Sequence, residues 1–76
     1  MTYYERIRML REDRDMTQAE VANLLNVGQR TYCDYERGVT RIPVERLITL
    51  ARLYNVSMDF ICGVSDLPGF FPQTGK

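Results

Sequence analysis

The sequence predicts an all-α domain built from five short helices. Two Thr-x-x-Glu capping boxes, Thr2 with Glu5 and Thr17 with Glu20, each mark a helix start by satisfying orphan backbone donors reciprocally. Apolar residues then recur at helical spacing after each box and again after Pro43. No stretch alternates convincingly with period two, so no sheet is expected. With 76 residues the chain buries only about 60% of its unfolded surface, enough for one core and one domain.

Helix one is expected from Thr2 to near Asp13, with Tyr3, Ile7 and Leu10 on its buried face. Helix two opens at Thr17 and carries Ala19, Val21, Ala22 and Leu25 as its apolar stripe. Asn26-Val27-Gly28 should break it, because Asn and Gly tolerate the left-handed backbone of a sharp turn. Helix three then runs from Gln29 to about Arg37 and stops at Gly38, a natural residue just past a helix end. Ala22 stands where helices two and three would cross, and its small side chain permits close approach. Helix four follows Pro43 with Leu47, Leu50, Ala51 and Tyr54 at i, i+3, i+4 and i+7. Ser57 caps a short fifth helix through Met58, Ile61 and Cys62, with Asp59 in its first turn and Gly63 ending it. Cys62 is expected to be a small core residue. Val64 to Lys76, with Pro68, Gly69, Pro72 and Gly75, should be irregular. Residues 1–63 thus form the helical domain and residues 64–76 a C-terminal tail.

Several function classes are excluded. No apolar run approaches the roughly 20 residues of a membrane span. The opening MTYYERIRMLRE is charged throughout and lacks a secretory core, so a cytoplasmic location and two free thiols, Cys33 and Cys62, are expected. The chain has no His, no metal-spaced cysteines, no glycine-rich phosphate loop and no serine nucleophile motif. Neither catalysis nor a cofactor nor a metal is expected.

Helices two and three, joined by a tight turn, make a helix-turn-helix, the motif that places its second helix in the DNA major groove. Tyr32 and Tyr35, three apart, should face the core and turn Gln29, Arg30, Cys33 and Asp34 outward. Gln29 can bond adenine N6 and N7, Arg30 guanine O6 and N7, and Asp34 cytosine N4. Arg30 and Asp34 can instead form an i, i+4 surface ion pair. Arg30 lies in the first helical turn, where the dipole disfavours a cation, which favours an acceptor-rich partner. Thr31 can touch a thymine methyl or a phosphate, or simply face solvent. Cys33 has no neighbouring Lys or His to activate it and is read as a bland member of the strip.

Net charge argues the other way. Ten Lys plus Arg balance ten Asp plus Glu, and the pI near 6.2 is far from the basic values common among nucleic-acid-binding domains. Nine of those ten cations are Arg, however, the side chain suited to forked phosphate and guanine contacts. Neutrality predicts weak non-specific DNA binding, since phosphate contacts dominate that term.

The ordered set Ile7, Leu10, Arg11, Thr17-Gln18-Ala19-Glu20-Val21-Ala22, Leu25, Val27, Gln29-Arg30-Thr31, Tyr35-Glu36-Arg37-Gly38, Pro43, Leu47, Leu50-Ala51 and Val56-Ser57-Met58-Asp59 resembles the phage Cro- and repressor-type, XRE-like helix-turn-helix family. The resemblance spans Ile7 to Gly63. Tyr32 and Tyr35 replace the family's usual branched aliphatic residue and its Trp, Tyr or Leu. Gly28 stands where Ser or Thr is common, removing a hydroxyl contact to phosphate. The resemblance implies a compact, lambda-repressor-like five-helix fold and a sequence-specific transcriptional regulator, a small Cro-like repressor of a palindromic DNA operator. It implies phosphate contacts from Gln18, Arg37 and Arg41, and an Arg11–Glu36 ion pair tying helix one to helix three. It implies a homodimer, whose surface is expected from Met58, Ile61, Leu67, Phe70 or Phe71. Core packing remains the alternative for Met58 and Ile61. The other reading is a protein-interaction module, an antitoxin or adaptor, using the same fold and its Phe-Phe tail.

Overall fold

The computed structural model describes residues 1–72 and contains five helices: α1 (Tyr3–Asp13), α2 (Gln18–Leu24), α3 (Gln29–Arg37), α4 (Val44–Tyr54) and α5 (Met58–Ile61). No strand occurs among the described residues. Both capping boxes form. The Glu5 amide donates to Thr2 Oγ1 and the Thr2 amide to Glu5 Oε1, and Thr17 and Glu20 repeat the pattern. Ser57 caps α5 by accepting from the Phe60 amide at 3.1 Å.

α3 packs against α2 and α1, while α5 packs against α4 and α1. Between them lie Ile7, Leu10, Val21, Ala22, Leu25, Tyr32, Tyr35, Leu47, Leu50, Ala51, Tyr54, Val56, Phe60 and Ile61, one continuous core. Burying such apolar side chains supplies about 1.5–3 kcal/mol each, and that sum is what opposes the chain entropy of so short a sequence. No helix among the described residues is long and apolar enough to cross a membrane.

Four details differ from expectation. Ala19 is exposed, because the inward stripe of α2 is Gln18, Val21, Ala22 and Leu25, and Ala19 lies one step of about 100° away. Tyr3 is only half-buried, and Arg6 joins Ile7 and Leu10 on the inner face of α1. In the α2–α3 turn it is Asn26 that takes the left-handed backbone, at φ 60°, whereas Gly28 has φ −69° and serves as an N-cap without a side chain. Cys62 is exposed at the end of α5, lining a cleft with Tyr3, Arg41, Ile42 and Leu47 rather than sitting in the core. Gly38, at φ 73°, closes α3 as expected.

The tail is irregular through Pro72, and it is also anchored. The Ser57 amide donates to the Pro68 carbonyl at 2.9 Å, the Phe71 amide reaches Asn55 Oδ1 at 3.3 Å, and Arg52 lies over the Phe71 ring. At its start, buried Arg6 packs over the Phe60 ring and donates to the Ser65 carbonyl and to Asp66 Oδ1. The tail expected to reach Lys76 extends, in its last four residues 73–76, outside the described ones.

Candidate nucleic-acid interface

The candidate interface begins with what holds α3 in place. Its inner side carries Tyr32, Tyr35 and Glu36, all buried. A buried carboxylate is costly unless every lone pair finds a donor. Glu36 finds four: Oε2 accepts from Arg11 Nε at 2.7 Å and from the Tyr32 hydroxyl, while Oε1 accepts from Arg11 Nη2 at 3.1 Å and Gln18 Nε2 at 3.0 Å. The expected Arg11–Glu36 pair is therefore present, forked, and joined by a third helix through Gln18. Arg11 also donates to the Met16 carbonyl at 2.8 Å, fixing the loop between α1 and α2.

The proton affinities follow this geometry. Burial raises the Glu36 pKa, but the bonds from Arg11, Tyr32 and Gln18 together outweigh it and hold the carboxyl below its ordinary value. The bond to Glu36 raises the Arg11 pKa. Burial, and then the same carboxylate, push the Tyr32 phenol well above the usual tyrosine range. All three groups keep one charge state across physiological pH, so the node joining α1, α2 and α3 is fixed.

With its inner side locked, α3 exposes Gln29, Arg30, Thr31 and Arg37 to solvent, and Cys33 and Asp34 in part. The anticipated Arg30–Asp34 pair forms at 3.8 Å, and Arg37 Nη1 approaches the same Asp34 oxygen at 3.5 Å. Arg41 is exposed in the α3–α4 loop. Between residues 29 and 41, three exposed arginines thus face a single partly shielded aspartate, since Glu36 is already neutralised by Arg11. The outward face of α3, with the loop that follows it, is therefore net positive although the chain as a whole is neutral. Gln18 lies at the border of that face with one amide proton given to Glu36, and the carboxamide has a second to offer.

The residues expected at a dimer surface separate into two groups. Ile61 is wholly buried inside the chain, so it is withdrawn from that surface: its position in α5 points into the core against α1 and α4. Met58 and Phe71 are half-buried against the core edge, and Leu67 and Phe70 are each 78% exposed. Sequence reasoning missed Arg6, although its place beside Ile7 and four before Leu10 put it on the inner face. It also missed Arg37 as the second partner of Asp34, a plain i, i+3 spacing.

Residues 7–61 match the family described as helix-turn-helix. The chain belongs to that family, in its phage repressor-type, XRE-like branch. It is similar to the HTH-type transcriptional regulator YobD of Bacillus subtilis, 36% identical over 66 residues, covering 87% of this chain and 59% of that protein. It is similar to the cryptic phage CTXphi transcriptional repressor RstR of Vibrio cholerae, 43% identical over 54 residues, covering 71% of this chain and 49% of the repressor. It is also similar to the HTH-type transcriptional regulator ImmR of B. subtilis, 33% identical over 67 residues, 88% of this chain and 53% of the other. The chain spans about half to three fifths of the length of these relatives.

Proposed function

We propose that this protein binds double-stranded DNA by laying α3 in the major groove, and that it regulates transcription as a small repressor of a two-fold symmetric operator. The observation that carries this reading is the two-sidedness of α3. Its inner side is fixed by a four-donor carboxylate, and its outer side offers Gln29, Arg30 and Thr31, whose donor and acceptor patterns match base edges, with the Asp34 carboxylate beside Arg30. Arg37, Arg41 and the free amide proton of Gln18 flank that strip and supply phosphate contacts, which position the helix without reading sequence. Cys33 lies within the strip as a spacer. Relatives named as transcriptional regulators and as a phage repressor support the same reading.

One domain of this size makes few base contacts, so two copies reading half-sites about one helical turn apart supply the missing specificity. Leu67 and Phe70 on the anchored tail, with the exposed edges of Met58 and Phe71, form the apolar surface for that second copy. The same exposed apolar residues favour a second reading, in which the tail docks on a different protein, as an antitoxin or adaptor does. A mobility shift on DNA from upstream of the protein's own gene, with intact chain and with residues 66–76 deleted, separates the two. Cooperative binding by the intact chain that weakens together with dimerisation on deletion supports a DNA-bound dimer. No shift with the intact chain supports the protein-interaction reading.

A further inference from the structure

The convergence of Arg30 and Arg37 on one oxygen of Asp34 has a consequence for how the strip discriminates DNA. Asp34 is the only acid on the exposed side of residues 29–41, and its side chain is only 20% exposed. Arg30, 87% exposed, meets it through Nε at 3.8 Å. No Nη nitrogen of Arg30 donates a hydrogen bond among the described residues, and its side chain is largely in solvent. A guanidinium drawn toward a carboxylate on its Nε side can still present its Nη pair as a fork, and a fork is what guanine O6 and N7 accept. Arg37 reaches the same oxygen through Nη1 at 3.5 Å, with its own side chain 61% exposed.

We propose, resting on the DNA-binding reading above, that Asp34 is a specificity-determining positioning residue: it aims Arg30 at a guanine and restrains that arginine from phosphates. On a cognate site, Arg30 keeps its Nε on Asp34 while the Nη pair engages guanine, so the ion pair and the base contact coexist. On other sequences, Arg30 has only phosphate to bind. Reaching it means leaving Asp34, and the carboxylate repels the phosphate as well. The penalty therefore falls on non-specific complexes more than on the cognate one. This accounts for an acid placed on a surface meant for a polyanion, and it uses the neutral net charge rather than conflicting with it.

The test compares wild type, Asp34→Asn, Arg30→Ala and the double variant, by selection from a random DNA library and by titration with a random-sequence duplex at several salt concentrations. Asp34→Asn should bind the random duplex roughly three- to tenfold tighter at low salt, with a log–log salt slope steeper by about one unit. Its selected motif should relax at the base pair that Arg30→Ala relaxes, and adding it to Arg30→Ala should cause no further loss there, the non-additivity expected of residues acting as a unit. Unchanged random-duplex affinity with an unchanged motif overturns the proposal and leaves the DNA reading standing. A preference switched at a different base pair, with no gain on random DNA, shows Asp34 reading a base itself and also overturns it. Wild type that selects no motif overturns the DNA reading, and this proposal with it.

Discussion

Replacing Glu36 by Gln removes the charge at the centre of the α1–α2–α3 junction while keeping the side-chain volume. Glutamine retains one carbonyl oxygen, where the carboxylate accepts from Arg11, Tyr32 and Gln18 on two. Arg11, 12% exposed, is then left facing a neutral amide whose NH2 repels it. Hydrogen bonds to a charged group are worth about 1.5–3 kcal/mol. Removing the whole side chain in Glu36→Ala strands a mostly buried guanidinium, at about 3–5 kcal/mol. A chain of 76 residues has only about 4–11 kcal/mol of total stability, so the Ala variant sits near the unfolding threshold and Gln is the cleaner probe. At about 4–8 °C per kcal/mol, Glu36→Gln should lower Tm by roughly 6–24 °C. The pH dependence has a definite sign. A carboxyl whose folded pKa is depressed adds stability that is present above its unfolded value, about 4.3, and is lost as pH falls through the folded one. Thermal melts of wild type should therefore weaken on acidification below about pH 4.5, and those of Glu36→Gln should weaken less. A Gln variant melting within a degree or two of wild type, with the same acid limb, would refute the idea that this node holds α3 in place.

Other positions give outcomes of their own. Arg6→Ala should cost about 2 kcal/mol or more, because the guanidinium lies desolvated 3.9 Å from the Phe60 ring centre, and should expose the tail to limited proteolysis. Asp66→Asn should cost under about 1 kcal/mol, since Asp66 is 96% exposed. Gly63→Ala should destabilise by more than about 1 kcal/mol in denaturant melts, because φ is +84° and a Cβ would collide with the Met1 carbonyl oxygen. Gly28→Ser has open space and an empty N-cap, and should gain a few tenths of a kcal/mol. At high pH, burial holds the Tyr54 phenol up to about 12, so stability present below pH 10 should be lost as pH climbs from about 10 to 12. Tyr54→Phe should flatten that alkaline limb.

The helix starts were legible because their signals are local. Thr2, Thr17 and Ser57 each act on an amide three positions away, and three-residue spacings survive in a linear reading. The outward set of α3 was legible for the same reason, since burying Tyr32 and Tyr35 fixes the rotation of the whole helix. What escaped depends on tertiary placement. Arg6 reaches residues about sixty positions away, and no periodicity encodes that. Met58 and Ile61 share one amphipathic turn, and only the packing of α5 against α4 and α1 sends Ile61 inward. Residue type alone leaves the left-handed position open between Asn26 and Gly28; Asn26 takes it, because the chain must reverse immediately after α2 and be extended again before α3.

The central claim is that the exposed side of α3 reads base edges while its flanks only grip the backbone. Selection from a random DNA library with wild type, Arg30→Ala and Arg41→Ala tests it most directly. Arg30→Ala should lose about 1–3 kcal/mol on the selected site and relax one position in each half-site. Arg41→Ala should enrich the wild-type motif, bind all sequences more weakly, and flatten the salt slope by about one unit. Identical motifs from wild type and Arg30→Ala would remove Arg30 from the reading face, and no motif from any of the three would contradict the claim outright.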